Sequence, residues 1–456
     1  MRSILLCLAV ATAAASCGDP KGPIVTGDGT ITVDLATRHQ QIVGWEATAQ
    51  AGQTELETFP AFQSEVLDRT ANQLGINRVR LEIRSGAEND QDYFALWRSG
   101  SISRDAFRET WYAPVNDNAD PNSINSGGFH FTELDDDVNT IVEPLRQRLQ
   151  ARGERLYVNL CFVDFHSEAG ITATDPDEYA ELMVATFQHL QSQYGWVPDA
   201  VEIILEPDNS SWNGTRIGES LVATNARLAA AGFNPDFIAP STTNMTNAIE
   251  YFDDLAAVPG AVDALTELSY HRYSGVSTSS LQTIASRAAT HGLNTSMLEH
   301  IGSGYESLHQ DLKVGMASAW SQFTIAWDDQ IDDGGKYYVV NVSNPTEPEV
   351  RMALQTRMLR QYMFYVRAGA QRVGATSGDS QLDPLAFVNP DGKLVVVVKA
   401  AVGRQFDVGG IPVGSYGINY TTFSEFDVEL PEFNLVAGES MSVTMPETGV
   451  VTIYQK

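Results

Sequence analysis

Runs of apolar, often β-branched residues alternate with amphipathic stretches over most of the chain. Each short apolar run predicts a strand, and each following stretch with apolar residues three and four positions apart predicts a helix. Eight strands alternating with helices predict an α/β fold, a (β/α)8 TIM barrel with extended loops. The strand candidates lie at 41–45, 77–83, 155–163, 200–205, 236–241, 265–273, 294–300 and 321–327.

The stretch from Asp175 to Gly195 carries the clearest helix signals. Asp175 is a good N-cap residue, Pro176 suits the first helical turn, and Gly195 is a typical helix end. The apolar side chains of this stretch recur on one face, as in an amphipathic helix packed on a core. A second helix with the same kind of stripe is predicted over 351–366.

The pattern changes near Gly369, beyond which short strands are separated by Gly, Pro, Asn and Asp turns. Such a succession predicts an all-β sandwich domain over 369–456. The early segment 29–42 is also strand-like, and we predict that it joins this sandwich. The barrel domain is then predicted over 43–368.

The N-terminal segment resembles an export signal. Arg2 is followed by an apolar run that is too short to span a bilayer and ends in small residues. The sequence "AAASC" resembles a bacterial lipobox that would lipidate Cys17, although Ala14 replaces the preferred Leu. We predict a signal peptide over 1–17, a flexible linker over 18–28, and an extracytoplasmic protein that is either lipid-anchored or secreted.

Charge and cysteine content narrow the possible partners. With 29 Lys+Arg against 58 Asp+Glu, the formal net charge is −29. This surface repels phosphate backbones and anionic membranes, so we expect no nucleic-acid partner and membrane contact only through the lipid anchor. Cys161 lies in an apolar strand and is expected to be a core residue without a disulfide partner.

Two acidic residues end predicted barrel strands: Glu206, which precedes Pro207, and Glu299. In a TIM barrel the C-terminal strand ends face the active site. Two carboxylates across such a mouth are what glycosidic bond cleavage requires, one protonated as the acid and one ionised as the nucleophile. In a retaining enzyme they lie roughly 5 Å apart. A lone glutamate at a strand end is more often a solvated boundary residue, so the pair carries the hypothesis.

Further polar and aromatic residues lie near the predicted strand ends. Arg80, inside the second strand, requires a charged partner because an unpaired buried charge is costly. Tryptophan and tyrosine side chains can stack on sugar rings, although each could equally belong to the core. The candidates that extend the site are Trp45, Arg80, Asp164, Trp212, His271, Tyr273 and Trp327.

Several motifs resemble a known family. The strand-end sequences "EPDN", "SYHRY" and "MLEH" resemble the barrel glycoside hydrolases of clan A. The stretch "RQYMFYVRAGAQRVGATSGDSQLDPLAFVNPDGKLVVVVKAA" and the ending "GVVTIYQK" are similar to glycoside hydrolase family 30. The order of these motifs along nearly the whole mature chain gives the resemblance its weight.

The resemblance implies a retaining β-glycosidase acting on an oligosaccharide, a polysaccharide or a glycoconjugate, with neither a cofactor nor a metal. It matches Glu206 to the acid/base and Glu299 to the nucleophile. Arg80 matches an arginine that keeps the nucleophile ionised, Tyr273 lies near a tyrosine that contacts it, and His271 matches a substrate-contacting neighbour.

One position departs from the family pattern. Leu205 stands where an asparagine usually contacts the sugar 2-hydroxyl, a hydrogen bond that strengthens in the transition state. One alternative is that Asn159 or Asn209 binds the 2-hydroxyl, although Asn159 could also be a core amide. Alternatively, the substrate is modified there, or hydrolysis is weak or absent and the chain is a non-catalytic carbohydrate-binding surface protein.

Two further alternatives concern metals. A metal-dependent barrel hydrolase would use Asp164, His166, His271 and His300, but the first strand lacks the H-x-H pair typical of such sites. The insertion 85–131 is too long for an ordinary connection. Its segment "NDNADPN" (116–122) is either a substrate-shaping loop or a calcium site with oxygen ligands.

Overall fold

The computed structural model describes residues 25–165, 175–328, 332 and 334–456. Eight parallel strands, β2 to β9, follow one another in a sheet that closes through the pairing of β9 with both β2 and β8. This closure confirms the predicted (β/α)8 barrel. The strands are β2 (Gly44–Thr48), β3 (Arg78–Arg84), β4 (Tyr157–Val163), β5 (Ala200–Glu202), β6 (Asp236–Asn244), β7 (Glu267–Ser274), β8 (Asn294–Glu299) and β9 (Ala317–Asp328).

Each predicted barrel strand corresponds to an observed one, but β5 is shorter than expected. The strand predicted over 200–205 ends at Glu202, four residues before Glu206. Two further strands, β10 (Lys336–Asn341) and β11 (Glu349–Met352), extend the sheet outward from β9. The sequence pattern did not predict this extension.

Helices cover the outside of the barrel and form part of the long insertion. They are α1 (Phe59–Arg69), α2 (Tyr93–Arg98), α3 (Arg104–Arg108), α4 (Thr132–Asp137), α5 (Glu143–Ala151), α6 (Pro176–Tyr194), α7 (Gly214–Ala230), α8 (Met245–Ala256), α9 (Ala261–Ala264), α10 (Thr278–His291), α11 (Tyr305–Lys313) and α12 (Leu354–Met363). The predicted ends of α6 are confirmed, because the Asp175 side chain accepts a hydrogen bond from the Asp177 N–H and Gly195 adopts the left-handed conformation.

The second domain is an all-β sandwich, as predicted. Its strands are β1 (Val25–Gln41), β12 (Gln371–Ser377), β13 (Leu382–Val388), β14 (Leu394–Ala400), β15 (Arg404–Gly409), β16 (Gly414–Thr422), β17 (Val428–Leu435), β18 (Met441–Met445) and β19 (Gly449–Gln455). The N-terminal strand β1 lies between β12 and β15, antiparallel to the first and parallel to the second.

The chain start differs in part from expectation. Strand β1 begins at Val25, so residues 25–28 of the predicted linker belong to a strand. The predicted signal peptide, residues 18–24 and Cys17 lie outside the described residues, as does His166. Among the helices that are described, none has both the length and the apolar character needed to cross a membrane.

The two domains pack against each other through a common apolar cluster. The sandwich has its own core, but Leu385, Phe387, Val395, Val397 and Val450 belong to the same apolar cluster as the barrel side chains. Helix α12 connects the two through Gln361, which is fully buried. Its Nε2 donates to Asn419 Oδ1 at 2.6 Å and to Thr421 Oγ1 at 2.9 Å, both in the sandwich.

The barrel interior carries charge as well as apolar side chains. Arg78, on β3, is fully buried and bridges Glu46 on β2 to Glu267 on β7 across the barrel. Residues two apart on a strand share a face, so Arg78, Arg80 and Glu82 all belong to one face of β3. The lower part of the barrel is therefore held by a buried ion network directly beneath the residues described next.

Candidate active site

Glu206 lies at the C-terminal end of the barrel, held by its backbone. After β5 ends, the chain still bonds to both neighbours: the Leu205 N–H donates to Phe162 O at 2.9 Å and the Glu206 N–H donates to Ser241 O at 3.1 Å. Glu206 itself adopts the left-handed region, with φ 49° and ψ 57°, and Pro207 begins a short 3-10 turn. The apolar run thus ends in a fixed, strained turn that carries the carboxylate out of the sheet.

Glu299 is the last residue of β8 and is 6% exposed. Arg80 Nη2 lies 2.6 Å from Glu299 Oε2, and the Tyr273 hydroxyl donates to Glu299 Oε1 at 2.8 Å. Glu299 is thus the charged partner that the sequence required for Arg80. Both carboxylate oxygens accept strong donors, which stabilises the ionised form.

Glu206 has a different set of partners. His271 Nδ1 lies 3.0 Å from Glu206 Oε1, and Asn209 Nδ2 donates to Glu206 Oε2 at 2.9 Å. Ligand atoms of Glu206, His271 and Glu299 all lie within 4.8 Å of one another. The two carboxylates therefore share one pocket, at a spacing typical of a nucleophile and an acid/base that act on one bond.

Burial and neighbouring charges shift the pKa values of Glu299, His271 and Tyr273. Burial raises the pKa of Glu299, but Arg80, His271 and the hydrogen bonds from Arg80 and Tyr273 outweigh it and hold the pKa below its usual 4.5. Burial lowers the pKa of His271, but the hydrogen bond to Glu206 and the charges of Glu299 and Glu206 raise it above 6.5 overall. Burial and the Glu299 charge raise the pKa of Tyr273 well above 10, so it stays a hydrogen-bond donor.

Some predicted substrate contacts are core residues. Trp45 is fully buried, and its indole N–H donates to Val366 O at 2.6 Å, so no face is available to a sugar. Trp212 is 2% exposed and packs with ring centroids 5.7 Å from Tyr179. Both predictions were wrong because an apolar sequence pattern does not show whether a tryptophan side chain faces the core or the barrel mouth.

Three other candidates lie on barrel strands or directly after one. Asn159 is fully buried and donates to Glu202 Oε2 at 2.7 Å, the role of a core amide rather than of a sugar ligand. Asp164 accepts a hydrogen bond from Ser85 Oγ at 3.2 Å and is 2% exposed. Trp327 is partly exposed at the C-terminal end of β9.

The sequence reasoning missed three residues beside Arg80. Glu82 Oε1 accepts from Arg80 Nη2 at 3.1 Å, and Gln50 Nε2 donates to Glu82 Oε2 at 3.1 Å. The Phe323 ring centroid lies 5.7 Å from the Arg80 guanidinium carbon. The alternation in "RVRLE" offered a signal for Glu82, because it places three charged residues on one face of a barrel strand.

The residue before Glu206 belongs to an apolar wall. Leu205 is 5% exposed and clusters with Cys161 and Val163, and Tyr112 and Phe165 pack against the cluster. Tyr112 comes from the insertion 85–131, so the insertion covers this side of the mouth. Leu205, Val163 and Phe165 offer a polar group of the substrate no hydrogen-bond partner.

The residues of the barrel mouth suit a metal ion less well than they suit a pair of acidic groups acting without metal. Glu206, His271 and Glu299 are close enough to surround an ion. However, the Arg80 guanidinium already neutralises Glu299, and a second cation beside it would be repelled. His300 bonds to Ser303 at 2.7 Å and Asp164 to Ser85, so the arrangement does not favour the metal-dependent alternative.

One family model matches part of the chain. Residues 369–400 match the model of the "Glycosyl hydrolase family 30 beta sandwich domain". A search of curated proteins gave no match. The matched segment includes β12, β13 and β14, part of the stretch on which the sequence resemblance depended.

Solved structures with the same fold include several enzymes. The structure of a glycoside hydrolase family 30 endoxylanase from Clostridium papyrosolvens C71 superposes with a TM-score of 0.65 at 17% identity, covering 94% of this chain and 100% of that chain. The catalytic domain of xylanase C of the same family, from Talaromyces cellulolyticus, gives 0.67 at 15% identity, with coverage of 94% and 100%. An endo-beta1,6-glucanase gives 0.65 at 14% identity, with coverage of 95% and 94%.

Fold and site together define a class of protein, a TIM barrel joined to a β-sandwich with a paired-carboxylate mouth. Within that class, the chain is most similar to glycoside hydrolase family 30, as its motifs indicated. At these identities the solved structures establish the shared fold.

Proposed function

We propose that the chain is a retaining β-glycosidase that hydrolyses O-glycosidic bonds by double displacement. The observation that carries the proposal is the pocket in which Glu206 and Glu299 oxygens lie within 4.8 Å while each carboxylate has its own set of partners. Two carboxylates with different environments can take the acid and nucleophile roles. The fold shared with glycoside hydrolases supports this assignment.

In the first step, a Glu299 oxygen attacks the anomeric carbon while Glu206 gives its proton to the leaving glycosidic oxygen. The carbon–oxygen bond to the leaving sugar breaks, and a glycosyl ester forms on Glu299. Arg80 and Tyr273 keep Glu299 ionised until the attack, and His271 and Asn209 orient the Glu206 carboxyl group.

In the second step, the Glu206 carboxylate takes a proton from water and the resulting hydroxide attacks the anomeric carbon. The ester to Glu299 breaks, which regenerates the ionised nucleophile and releases the sugar with its original anomeric configuration. Both protons therefore pass through the same residue, and neither step requires a cofactor.

The substrate is a β-linked carbohydrate, and the protein acts outside the cytoplasm. The lipobox-like segment around Cys17 supports export, as a lipoprotein or in secreted form. Xylan and β-1,6-glucan, named for the structurally similar enzymes, are reasonable first substrates to screen. Aryl β-glucosides, xylosides, galactosides, fucosides and glucuronides complete the panel.

The alternative is a carbohydrate-binding surface protein without catalysis, which the apolar wall at Leu205 favours. The strained backbone at Glu206 argues for catalysis. Strained backbone is retained at active sites and at ligand clamps, and here it holds Glu206 beside a second carboxylate, the arrangement that catalysis requires.

The proposal is tested by replacing each glutamate with glutamine. We expect Glu299→Gln to abolish turnover, because the amide cannot form the glycosyl ester. Glu206→Gln should slow hydrolysis by about 10²- to 10⁴-fold for ordinary linkages and much less for aryl glycosides with good leaving groups. The measurement is initial rate on an aryl glycoside panel, with proton NMR of the first-formed anomer.

The matched control is Glu219→Gln, an exposed glutamate on α7, which should retain the parent rate. Parent rates in both active-site variants would disprove the role assignment. Binding of oligosaccharides without hydrolysis by the unmodified chain would favour the carbohydrate-binding alternative.

A further inference from the structure

Arg80 binds two acids through one nitrogen. Its Nη2 lies 2.6 Å from Glu299 Oε2 and 3.1 Å from Glu82 Oε1. The Arg80 side chain is 1% exposed, and those of Glu82 and Glu299 are 10% and 8% exposed. Burial lowers the pKa of Arg80, but the charges of Glu299 and Glu82 outweigh it and hold that pKa above its usual range. The buried cation is therefore balanced by a pair of acids, of which only one is the nucleophile.

Glu82 is held in place beside the nucleophile. Gln50 Nε2 donates to Glu82 Oε2 at 3.1 Å, while Arg80 donates to Oε1. Arg84 Nη2 lies 4.0 Å from Glu82 Oε2, but Arg84 pairs more closely with Glu133. Glu82 and Arg80 are two residues apart on β3, so both side chains lie on one face of the strand. Both Glu82 oxygens accept hydrogen bonds, as those of a carboxylate do.

Two further acids near Arg80 lie beyond ion-pair distance. The Glu202 charge acts on Arg80, but Glu202 Oε2 accepts a hydrogen bond from Asn159 Nδ2 at 2.7 Å. Glu46 is paired with Arg78. Within the described ranges, neither Glu202 nor Glu46 comes within 4.0 Å of the Arg80 guanidinium, so neither is its ion-pair partner.

The proposed reaction removes one of the two negative charges on Arg80. When the Glu299 carboxylate attacks the anomeric carbon it becomes a neutral ester, and the departing sugar leaves with the electrons of the broken bond and the Glu206 proton. Arg80 is then a fully buried cation that has lost one partner. Because an unpaired buried charge is costly, the intermediate would be unstable without a second acid.

We propose that Glu82 is a positioning residue that keeps Arg80 paired while Glu299 is esterified. The inference rests on the proposed double displacement and goes beyond it, since it assigns Glu82 to the covalent intermediate. In the free protein the two acids share one guanidinium nitrogen. As Glu299 loses its charge in the first step, Glu82 becomes the remaining ion-pair partner of Arg80. Arg78 also has two acids, but there neither acid reacts.

Removing the Glu82 charge should act in opposite directions on the two chemical steps. Without it, Arg80 stabilises the ionised Glu299 more strongly in the free protein and is left unpaired in the intermediate. The first step should therefore slow, because it removes the Glu299 charge. The second step restores that charge and should not slow. A residue that only supports the packing of the pocket would not separate the two steps in this way.

The kinetic test compares Glu82→Gln with the parent chain on aryl glycosides. The constant kcat/KM, which reports the first step, should fall about 10- to 100-fold. With a dinitrophenyl glycoside, whose good leaving group makes the second step rate-limiting, kcat should equal or exceed the parent value. The matched control is Glu143→Gln, which removes the acid of the Arg146 pair on α5 and should keep both constants.

A second test needs no catalysis. Glu299→Gln places a neutral side chain at the position of the ester. We expect Glu82→Gln to lower the thermal midpoint at least about twice as much in the Glu299→Gln background as in the parent chain, because only there does it leave Arg80 without an acid. Glu143→Gln should give the same shift in both backgrounds. Differential scanning calorimetry measures these shifts, and a double variant that fails to fold while both single variants fold would be the largest form of this coupling.

Three results would overturn the proposal. One is a kcat/KM of Glu82→Gln that stays unchanged or falls together with kcat. Another is an equal thermal shift in the two backgrounds. The third is failure of Glu82→Gln alone to fold, since Arg80 still has Glu299 in that variant. Absence of hydrolysis by the parent chain would instead count against the proposed function, and the thermal comparison would still decide whether Glu82 and Glu299 share Arg80.

Discussion

At the scale of single residues, Glu206 shows how backbone geometry can prepare a reacting group. A non-glycine residue with φ 49° is uncommon, and here the Glu206 N–H is bonded to Ser241, whose own φ is 52°. Two adjacent strained residues thus support each other at the C-terminal edge of the sheet. The carboxylate reaches the pocket with few alternative positions, which lowers the cost of orienting it for proton transfer.

The hydrogen bond from Tyr273 to Glu299 gives a prediction at this scale. Tyr273→Phe removes a donor to the ionised nucleophile, so the pKa of Glu299 should rise from its lowered value. The acid limb of the kcat/KM profile should therefore move to higher pH, and kcat/KM should fall roughly 10- to 100-fold. The measurement is kcat/KM on an aryl glycoside from pH 3 to 8.

Tyr157→Phe serves as the matched control, since Tyr157 donates to Asp236 away from the pocket and should leave the profile unchanged. An unshifted acid limb in Tyr273→Phe would show that Tyr273 does not stabilise the nucleophile's charge.

The candidate site could be predicted in part from single residues. Polar groups at barrel strand ends pointed to Glu206, Glu299, Arg80, His271 and Tyr273, and the structure brings these five together. The tryptophans could not be placed, because their side chains suit a core as well as a sugar. The replacement of a polar residue by Leu205 could be read from the sequence. The apolar cluster around Leu205 could not, because Tyr112, which packs against it, comes from a distant loop.

At the scale of elements, strand β3 organises the barrel interior. Arg78 and Arg80 lie two residues apart on one face and bind different acids, Glu46 and Glu267 for the first and Glu299 for the second. The lower arginine stabilises the scaffold, and the upper one serves the pocket. Burial keeps the pKa of Glu46 near 6 despite the Arg78 charge.

Removing the lower arginine gives a prediction for this element. Arg78→Met leaves two buried carboxylates without their cation, so we expect the free energy of unfolding to fall by about 3 to 5 kcal/mol. The measurement is urea unfolding followed by circular dichroism. Arg287→Met, which breaks the exposed pair with Asp253, should change it by about 1 kcal/mol or less. Equal effects of the two substitutions would contradict a structural role for the buried network.

The order of helices and strands was predictable because apolar residues are spaced differently in helices and in strands. The exact end of β5 was not, since the residues after Glu202 keep an apolar pattern while their backbone turns toward Glu206. Strand β10 has a strong local strand signal in "KYYVVN" (336–341), but it was missed because an eight-strand barrel pattern leaves no place for two further strands beyond β9.

At the scale of the whole molecule, the two domains form one packed unit. Sandwich side chains such as Phe387 and Val450 belong to the barrel's apolar cluster, and Gln361 bonds across the boundary. A shared core of this kind links the stability of one domain to that of the other.

We therefore expect one cooperative thermal transition for the full chain. Gln361→Leu leaves Asn419 Oδ1 and Thr421 without their donor and should lower the midpoint of that single transition by a few degrees. Differential scanning calorimetry measures this, with exposed Gln405→Leu on the sandwich as the control. Two calorimetric peaks, of which the substitution moves only one, would show independent domains.

The pairing of β1 with β12 has a consequence for synthesis. Gln41 lies opposite Gln371, so the first strand emerges from the ribosome more than three hundred residues ahead of its neighbour. At translation rates of about 5 to 20 residues per second, this strand waits on the order of 15 to 60 s with an open edge. Whatever shields that edge during the delay, whether a chaperone or the nascent barrel, governs how much of the newly made protein escapes aggregation.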